Sequence, residues 1–271
     1  MPEGPEIRRA ADKLQKAIVG EPLRAVEFAF ARLKTFEEEL AASRVSAIET
    51  RGKALLTHFA NGLAVYSHNQ LYGRWYVVKA GKSASTTRSL RFAVRGSTHD
   101  ILLYSASDID VLDEVGIATH AFLHKLGPDA LSATLTAEQL DERLVDPRLA
   151  RRRLSDLLLD QAFVAGIGNY LRSEILFDAG LLPTRRPGSL DAPERAALAR
   201  SILSITRRAY RLAGITNDPE RAAQLKAAGV SFGQRRHAVF ERAGKPCYRC
   251  SGTIETAQLN RRVFWCPGCQ G

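Results

Sequence analysis

The C-terminal end of the chain contains all four of its cysteines, in the pattern C-x2-C-x15-C-x2-C. Each short pair forms a tight turn that presents two sulfur atoms, so the two pairs can surround one tetrahedral metal ion in a closed structural site. Two disulfides are the alternative, and the charged N-terminus, which lacks a secretory signal, argues against them. We predict one structural Zn²⁺, and its ligands would be Cys247, Cys250, Cys266 and Cys269.

The residues between the two pairs, "TIETAQLNRRVFW", predict two short strands joined by a polar turn. This is the pattern of a zinc-ribbon hairpin. It places Arg261 and Arg262 near the tip of the hairpin, where they are available for binding.

The charge balance favours a polyanionic partner. The chain has 39 Lys and Arg against 29 Asp and Glu, a formal net charge of +10, and such an excess is typical of nucleic-acid binders. Solvated helix faces rich in arginine are the alternative, and charge alone does not separate DNA from RNA or an acidic protein. No apolar run reaches the ~18 residues of a membrane helix, so we expect no membrane partner and a soluble, intracellular protein.

The pattern along the chain predicts an α+β multidomain protein. After an N-terminal helix, residues 22 to about 115 alternate as strands with a hairpin turn at Asn61-Gly62 and a second hairpin in "RSLRFAVRGSTHDILLYSAS", which indicates a β-sandwich flanked by helices. Residues 131 to 215 have helical periodicity, with a cap at Thr136 and a break at Pro187-Gly188. Residues 213–240 carry no motif that we can interpret.

The stretch "AGIGN" at residues 165–169 lies between two amphipathic segments. Its glycines permit a tight turn whose backbone N–H groups, together with the Asn169 side chain, can bind a phosphate at the start of a helix. An ordinary connection between two helices uses similar residues, so this signal is weak by itself.

The first residues, "MPEGPE", begin a helix in which Pro5 suits the first turn and Glu6 faces the positive end of the helix dipole. That explanation does not account for Pro2. Removal of Met1 would expose the secondary amine of Pro2, and a neutral secondary amine is a nucleophile that forms an iminium with a carbonyl carbon.

Taken in order, "MPEGPE", "RGKALL" at 51, "SHNQLYGRW" at 67, "AGIGNYLRSEIL" at 165 and "RRVFWCPGC" at the end resemble the formamidopyrimidine-DNA glycosylase and endonuclease VIII family of DNA repair enzymes. The resemblance covers nearly the whole chain and is weakest at 213–240. It implies a catalytic β-sandwich domain at 1–125, a helix–two-turn–helix DNA-binding domain at 126–235 and a zinc finger at 236–271.

The resemblance also assigns a catalytic set. Pro2 would form the Schiff base, Glu3 would be the acid, and Lys53 would contact phosphate and assist the elimination steps. Glu6 would stabilise positive charge or relay protons, although simple compensation of the helix dipole also explains it. The hairpin-tip arginine would be Arg261, with an ambiguity of one residue, and a solvated strand lysine is the alternative for Lys53.

The DNA-binding positions implied by the family are Gln70, Leu71, Tyr72, Lys125 and Asn169. The first three match the loop that fills the gap left by a flipped base. Packing in the protein core is the alternative for Leu71 and Tyr72. Asn169 would hold a phosphate, and Lys125 would be a basic contact in the linker.

These inferences predict a bifunctional DNA glycosylase and AP lyase of base excision repair. It would remove oxidised pyrimidines from double-stranded DNA through a Schiff base at Pro2 and cleave the strand by β,δ-elimination, acting as a monomer in the bacterial cytoplasm at the nucleoid. The alternatives are a sister enzyme specific for oxidised purines and a zinc-ribbon DNA-binding protein without catalytic activity.

Overall fold

Two antiparallel sheets form the N-terminal part of the chain. In the computed structural model, which describes residues 2–271, the sheets have the strand orders β1-β6-β7-β5 and β2-β3-β4-β8. Alternate side chains of both sheets enter one apolar core, which confirms the predicted β-sandwich. The strands are β1 (Leu23–Phe28), β2 (Val45–Arg51), β3 (Ala54–Phe59), β4 (Ala64–His68), β5 (Arg74–Lys79), β6 (Leu90–Gly96), β7 (His99–Tyr104) and β8 (Asp108–Leu112).

Both predicted hairpins are confirmed. β3 and β4 pair across a turn at Asn61-Gly62, in which Gly62 has φ 89° and the Asn61 side chain accepts a hydrogen bond from the N–H of Leu63. β6 and β7 pair antiparallel, and the turn that joins them follows Gly96. A positive φ costs glycine little, and this explains why the first turn ends on that residue.

Three helices accompany the strands. They are α1 (Gly4–Ile18), α2 (Glu37–Ala41) and α3 (Glu114–Thr119). The predicted apolar face of α1 contributes Ile7, Leu14 and Ile18 to the sandwich core, and the chain turns away from the helix at Gly20, where φ is 79°. The periodic apolar residues thus position the N-terminal segment.

The chain divides into two compact units. Unit 1 comprises Pro2 and residues 6–125. Unit 2 comprises residues 3–5 and 126–271. Residues 3–5 therefore belong to the unit formed by the C-terminal half of the chain, although they lie at the start of α1 in the sequence.

Unit 2 is helical before its final hairpin. Thr136 forms a capping box with Gln139 at the start of α4, and the predicted Pro187-Gly188 break forms a short 3₁₀ turn before α7. The helices are α4 (Ala137–Leu144), α5 (Leu154–Leu157), α6 (Asn169–Ala179), α7 (Ala192–Arg211), α8 (Pro219–Ala227) and α9 (Phe232–Arg235). The apolar faces of α4 to α7 share one core.

The hairpin predicted between the two cysteine pairs is formed by β9 (Glu255–Gln258) and β10 (Arg262–Trp265), which pair antiparallel. Phe264 of β10 packs with Phe177 of α6 and with Val239 in a small separate core. This core attaches the hairpin to the helical part of unit 2.

The stretch 213–240, which we could not interpret from sequence, contains α8 and α9 and is attached to α6 through a buried carboxylate. Glu174 accepts hydrogen bonds from Thr216 Oγ1 and from the backbone N–H groups of Ala238, Val239 and Phe240, at 2.7 to 2.9 Å. Burial lowers the pKa of the adjacent His237 to about 3, so its imidazole is neutral at neutral pH. These contacts order the segment that leads into the hairpin.

None of the helices formed by residues 2–271 has the length and apolar character needed to cross a bilayer.

Candidate functional site

The Glu3 carboxylate lies at the amino end of α6 and is almost completely buried, with 4% of the residue exposed. It accepts hydrogen bonds from the backbone N–H groups of Gly168 (2.8 Å), Tyr170 (2.9 Å) and Leu171 (3.3 Å). The first N–H groups of a helix have no partner within the helix and favour an anion. We expected these groups to be available for a phosphate, and for these three that expectation is wrong, because Glu3 occupies them.

Close backbone approaches explain the glycines around Glu3. A β-carbon on Gly168 would lie 2.4 Å from Cδ of Glu3, so any other residue there would displace the carboxylate. The N–H of Gly4 donates to the carbonyl of Gly166 at 2.8 Å, and a β-carbon on Gly4 would lie 3.0 Å from the Gly166 Cα. The glycines of "AGIGN" therefore serve the Glu3–Pro5 segment.

Asn169, the first residue of α6, lies beside the turn of the hairpin. Its Nδ2 donates to the carbonyl of Arg262 at 3.1 Å, and its Oδ1 accepts from Nη2 of Arg172 at 2.7 Å. The side chains of Arg261 and Arg262 are exposed, and Arg261 lies in the turn itself, before β10 begins. The structure thus brings together Glu3, Asn169 and the hairpin turn within unit 2.

Sequence reasoning missed Arg172. The residue is fully buried, and its guanidinium donates to Asn169, to the carbonyl of Arg261 in the hairpin turn and to the carbonyl of Arg262, the first residue of β10. The signal in the sequence was the charged pair Arg172 and Glu174 in the stretch "NYLRSEILF", where a surface position was the natural interpretation.

The four cysteines come together at the other end of the hairpin. Their sulfur atoms all lie within 4.8 Å of one another, and in the described chain none of the four forms a disulfide. The Sγ atoms of Cys250 and Cys266 are 3.4 Å apart and those of Cys247 and Cys269 are 3.9 Å apart. Ligands at ~2.3 Å around a tetrahedral ion would be ~3.8 Å apart, so this donor set can hold one metal ion.

Gln70, Leu71 and Tyr72 form an exposed turn between β4 and β5. Leu71 is 58% exposed and Tyr72 is 67% exposed, so the alternative of core packing is wrong for both. Side-chain hydrogen bonds hold the turn at Gln70: its N–H donates to Nδ1 of His68 at 3.0 Å, and its Oε1 accepts from Oγ of Ser107 at 2.9 Å. Two large apolar groups on a fixed turn can enter a gap in a partner.

The remaining predicted residues also lie in unit 1. Lys53 is half-buried in the turn between β2 and β3 and lies near His68. Burial lowers the pKa of His68, the Asp108 carboxylate raises it, and the Lys53 ammonium lowers it. Pro2 and Glu6 are half-buried, and Lys125 is exposed at the end of a 3₁₀ turn.

Comparison with known proteins gives matches over the whole chain. Residues 1–105 match the model of the formamidopyrimidine-DNA glycosylase N-terminal domain, and residues 126–219 match that of the formamidopyrimidine-DNA glycosylase H2TH domain. The chain is 52% identical to Endonuclease 8 of Klebsiella pneumoniae and 50% identical to Endonuclease 8 of Shigella sonnei, each over 271 residues that cover all of both chains.

Solved structures show the same fold. Fpg of Lactococcus lactis in complex with DNA containing an abasic site has a TM-score of 0.81 at 21% identity, with 99% of each chain covered. MutM in complex with DNA containing carbocyclic 8-oxo-G gives the same TM-score and identity over all of both chains. At this identity the likeness concerns the fold alone.

We predict that Gly168→Ala destabilises unit 2 by about 1–3 kcal/mol, the usual effect of forcing an added methyl into a packed site. The added β-carbon meets the Glu3 side chain, which must give up its backbone donors. Thermal unfolding followed by circular dichroism measures the change. Gly233→Ala in α9 is the matched control, because a β-carbon there meets nothing within 4 Å. Equal melting temperatures for the two variants would contradict the prediction.

Proposed function

The chain belongs to the formamidopyrimidine-DNA glycosylase and endonuclease VIII family, and we propose that it is a DNA glycosylase and AP lyase of base excision repair that acts on damaged double-stranded DNA. The observation that carries this proposal is the buried Glu3 carboxylate at the start of α6. Glu3 directly follows Pro2 in the chain, and its carboxylate is held in place by the start of α6. Removal of Met1 would therefore create the free amine of Pro2 next to a fixed proton acceptor.

We assign the nucleophile to Pro2. An α-amino group titrates near ~8, so a useful fraction is neutral at cellular pH, and the Lys53 ammonium would increase that fraction. The nitrogen lone pair forms the bond to C1′ of the damaged nucleotide while the base departs with the electrons of the glycosidic bond. Loss of the N–H proton, protonation of O4′ and opening of the sugar ring then give an iminium. When the C2′ proton is removed, the iminium accepts the electrons of the C2′–H bond and becomes an enamine. The enamine expels the 3′ phosphate, which leaves with the electrons of the C3′–O bond, and the iminium forms again; a second elimination releases the 5′ phosphate in the same way.

Glu3 has the proton-transfer role in this scheme. The ring oxygen O4′ must gain a proton when the sugar opens, and the amine nitrogen must lose one. A carboxylate beside Pro2 can accept the second proton and deliver it to O4′. Glu6, one helical turn further along α1, would stabilise the developing positive charge; compensation of the helix dipole remains its alternative role.

The contacts to DNA are assigned as follows. Asn169 and Arg261 would bind the backbone phosphate at the lesion, and Arg261 would also assist the elimination steps. The contacts of Asn169 with the carbonyl of Arg262 and of Arg172 with the carbonyl of Arg261 support this assignment. Lys53 would hold a second phosphate and Lys125 would add a basic contact. The exposed turn of Gln70, Leu71 and Tyr72 would fill the gap left by the extruded base.

The four-cysteine cluster would hold Zn²⁺. Thiolates are the ligands that zinc prefers in closed structural sites, and the spacing of the sulfur atoms fits a tetrahedral ion. The ion would supply rigidity only, by fixing both turns from which the hairpin with Arg261 extends.

Two observations favour oxidised pyrimidines over oxidised purines as substrates. Two relatives that are 52% and 50% identical to the chain are named Endonuclease 8, and Gly4 packs against Gly166 with no room for the bulky residue that the purine-excising sister typically has there. The contiguous Gln70–Tyr72 turn agrees with this choice. We further propose that the protein acts as a monomer at the bacterial nucleoid.

The proposal predicts that borohydride traps a covalent complex with an abasic-site duplex only when the chain begins at Pro2. Two preparations are compared, one with a free Pro2 and one with an uncleaved Gly-Ser extension before it. The extended chain should still bind a duplex that contains a reduced abasic site, because the extension leaves the phosphate contacts in place. Efficient trapping by the extended chain would remove Pro2 from the mechanism.

Replacement of a metal ligand tests the zinc site. Cys266→Ser should release the ion, disorder the hairpin with Arg261 and weaken DNA binding, while the β-sandwich keeps its cooperative unfolding. Elemental analysis should find one zinc per chain in the parent protein and in the control Ser251→Ala, whose hydroxyl belongs to the same knuckle. Fully active parent protein without zinc would contradict the assignment.

For lesion preference, we predict that thymine glycol and dihydrouracil are excised faster than 8-oxoguanine opposite cytosine, by at least about tenfold, which corresponds to ~1.4 kcal/mol of barrier. Single-turnover rates on the three duplexes measure this ratio. A faster rate on 8-oxoguanine would assign the sister specificity instead.

A further inference from the structure

Arg172 is an arginine that no part of the proposed reaction uses, yet it lies at the centre of the phosphate-binding region of unit 2. It is 0% exposed. Fully buried arginines are rare, because the charged group loses its water and must be satisfied by protein atoms. Such a residue requires an explanation in terms of what it holds.

Its guanidinium connects three parts of unit 2. Nη1 donates to the carbonyl of Ser155 at 3.3 Å, and Nη2 donates to Oδ1 of Asn169 at 2.7 Å. Nη2 also contacts the carbonyls of Arg261 and Arg262 at 3.1 and 2.9 Å. The planar group thus joins the start of α6 to the turn of the hairpin, whose side chains reach outward.

The contact to Asn169 decides which way its amide faces. A guanidinium has only donors, so the oxygen of the amide must face it and the NH₂ group must face away. One hydrogen of Nδ2 points to the carbonyl of Arg262, and the second is left for another acceptor. A phosphate only accepts hydrogen bonds, so this orientation of the amide is the one that can bind it.

The charge state of Arg172 supports this arrangement. Burial lowers its pKa to about 10, and the carboxylates of Asp156 and Glu3 oppose that shift. The group therefore remains protonated at neutral pH and keeps its full set of donors.

We propose that Arg172 is a positioning residue that orients the Asn169 amide and fixes the hairpin turn, so that Asn169 and Arg261 are arranged for one backbone phosphate before DNA binds. The proposal rests on the function proposed above for these two residues. Lysine cannot replace it fully, because the guanidinium reaches the carbonyl of Ser155 through Nη1 and the amide and the two carbonyls through Nη2, whereas an ammonium group has a single nitrogen.

The test is a double-mutant cycle on DNA binding. Full-length parent, Arg172→Met, Asn169→Ala and the double variant are titrated against a fluorescent duplex with a tetrahydrofuran abasic analogue at one fixed salt concentration. Each single change should weaken binding about 10- to 100-fold, as expected for loss of a charge-assisted hydrogen bond. In the double variant, the loss should be at least about threefold smaller than the product of the two single losses, because the residues act as a unit. A loss in the double variant that comes within about threefold of the product of the two single losses overturns the proposal.

Two controls separate positioning from general damage. Arg200→Met removes one exposed arginine of α7 and measures how much DNA affinity is lost when a single positive charge is removed. Leu71→Ala changes a residue of unit 1. The loss of DNA affinity in the double variant Leu71→Ala/Arg172→Met should equal the product of the two single losses. If Arg172→Met disturbed the whole protein, its effect would instead be coupled to both Leu71→Ala and Asn169→Ala. Coupling of equal size to Leu71 and to Asn169 overturns the proposal.

If Arg172→Met does not unfold cooperatively, Arg172→Lys replaces it in the cycle and the same threshold applies. Lysine keeps the charge, so it should bind more tightly than the methionine variant and more weakly than the parent. Borohydride trapping by the parent is scored separately. A parent that binds and shows coupling but does not trap would contradict the glycosylase function and leave the positioning role standing.

Discussion

The acceptance of three backbone N–H bonds by the Glu3 carboxylate is the interaction on which the rest of unit 2 depends. Helix α6 begins with N–H groups that no residue of the helix can satisfy, and a buried carboxylate needs donors in the absence of water. Both requirements are satisfied when the N–H groups of Gly168, Tyr170 and Leu171 donate to the Glu3 carboxylate. Residues 3–5 consequently belong to the C-terminal unit, and the absence of a side chain at residue 168 is what permits the contact.

Helix α6 continues this logic along its length. Arg172 and Glu174 are both buried, and each joins the helix to a different neighbouring segment: Arg172 to the hairpin turn and Glu174 to residues 238–240. Removing one partner of such a group leaves the other buried and unsatisfied, which typically costs several kcal/mol. The helix is therefore held by matched polar contacts as well as by its apolar core, and these contacts define the geometry at its amino end.

Local rules in the sequence predicted the features that depend on few residues. Asn61-Gly62 encodes a turn through backbone conformation, Thr136 encodes a helix start, and the cysteine spacing encodes a four-thiol cluster. Arg172 could not be predicted in this way, because nearly every side of α6 is buried and helical periodicity then loses its meaning. The exposure of Leu71 also depends on tertiary structure, since an apolar residue before a strand suits either a core or a wedge.

The same contacts limit the chemistry that Glu3 can perform. Three N–H donors hold both carboxylate oxygens of Glu3 in place, so the group that would exchange a proton has a fixed position at the start of α6. In the mechanism that we propose, Glu3 would receive a proton from the amine of Pro2 once that nitrogen has attacked C1′ and become cationic. It would then pass the proton to O4′ of the opening sugar ring. A carboxylate fixed by the helix terminus could relay a proton without moving, and Glu3 would end the proposed catalytic cycle in the state in which it began.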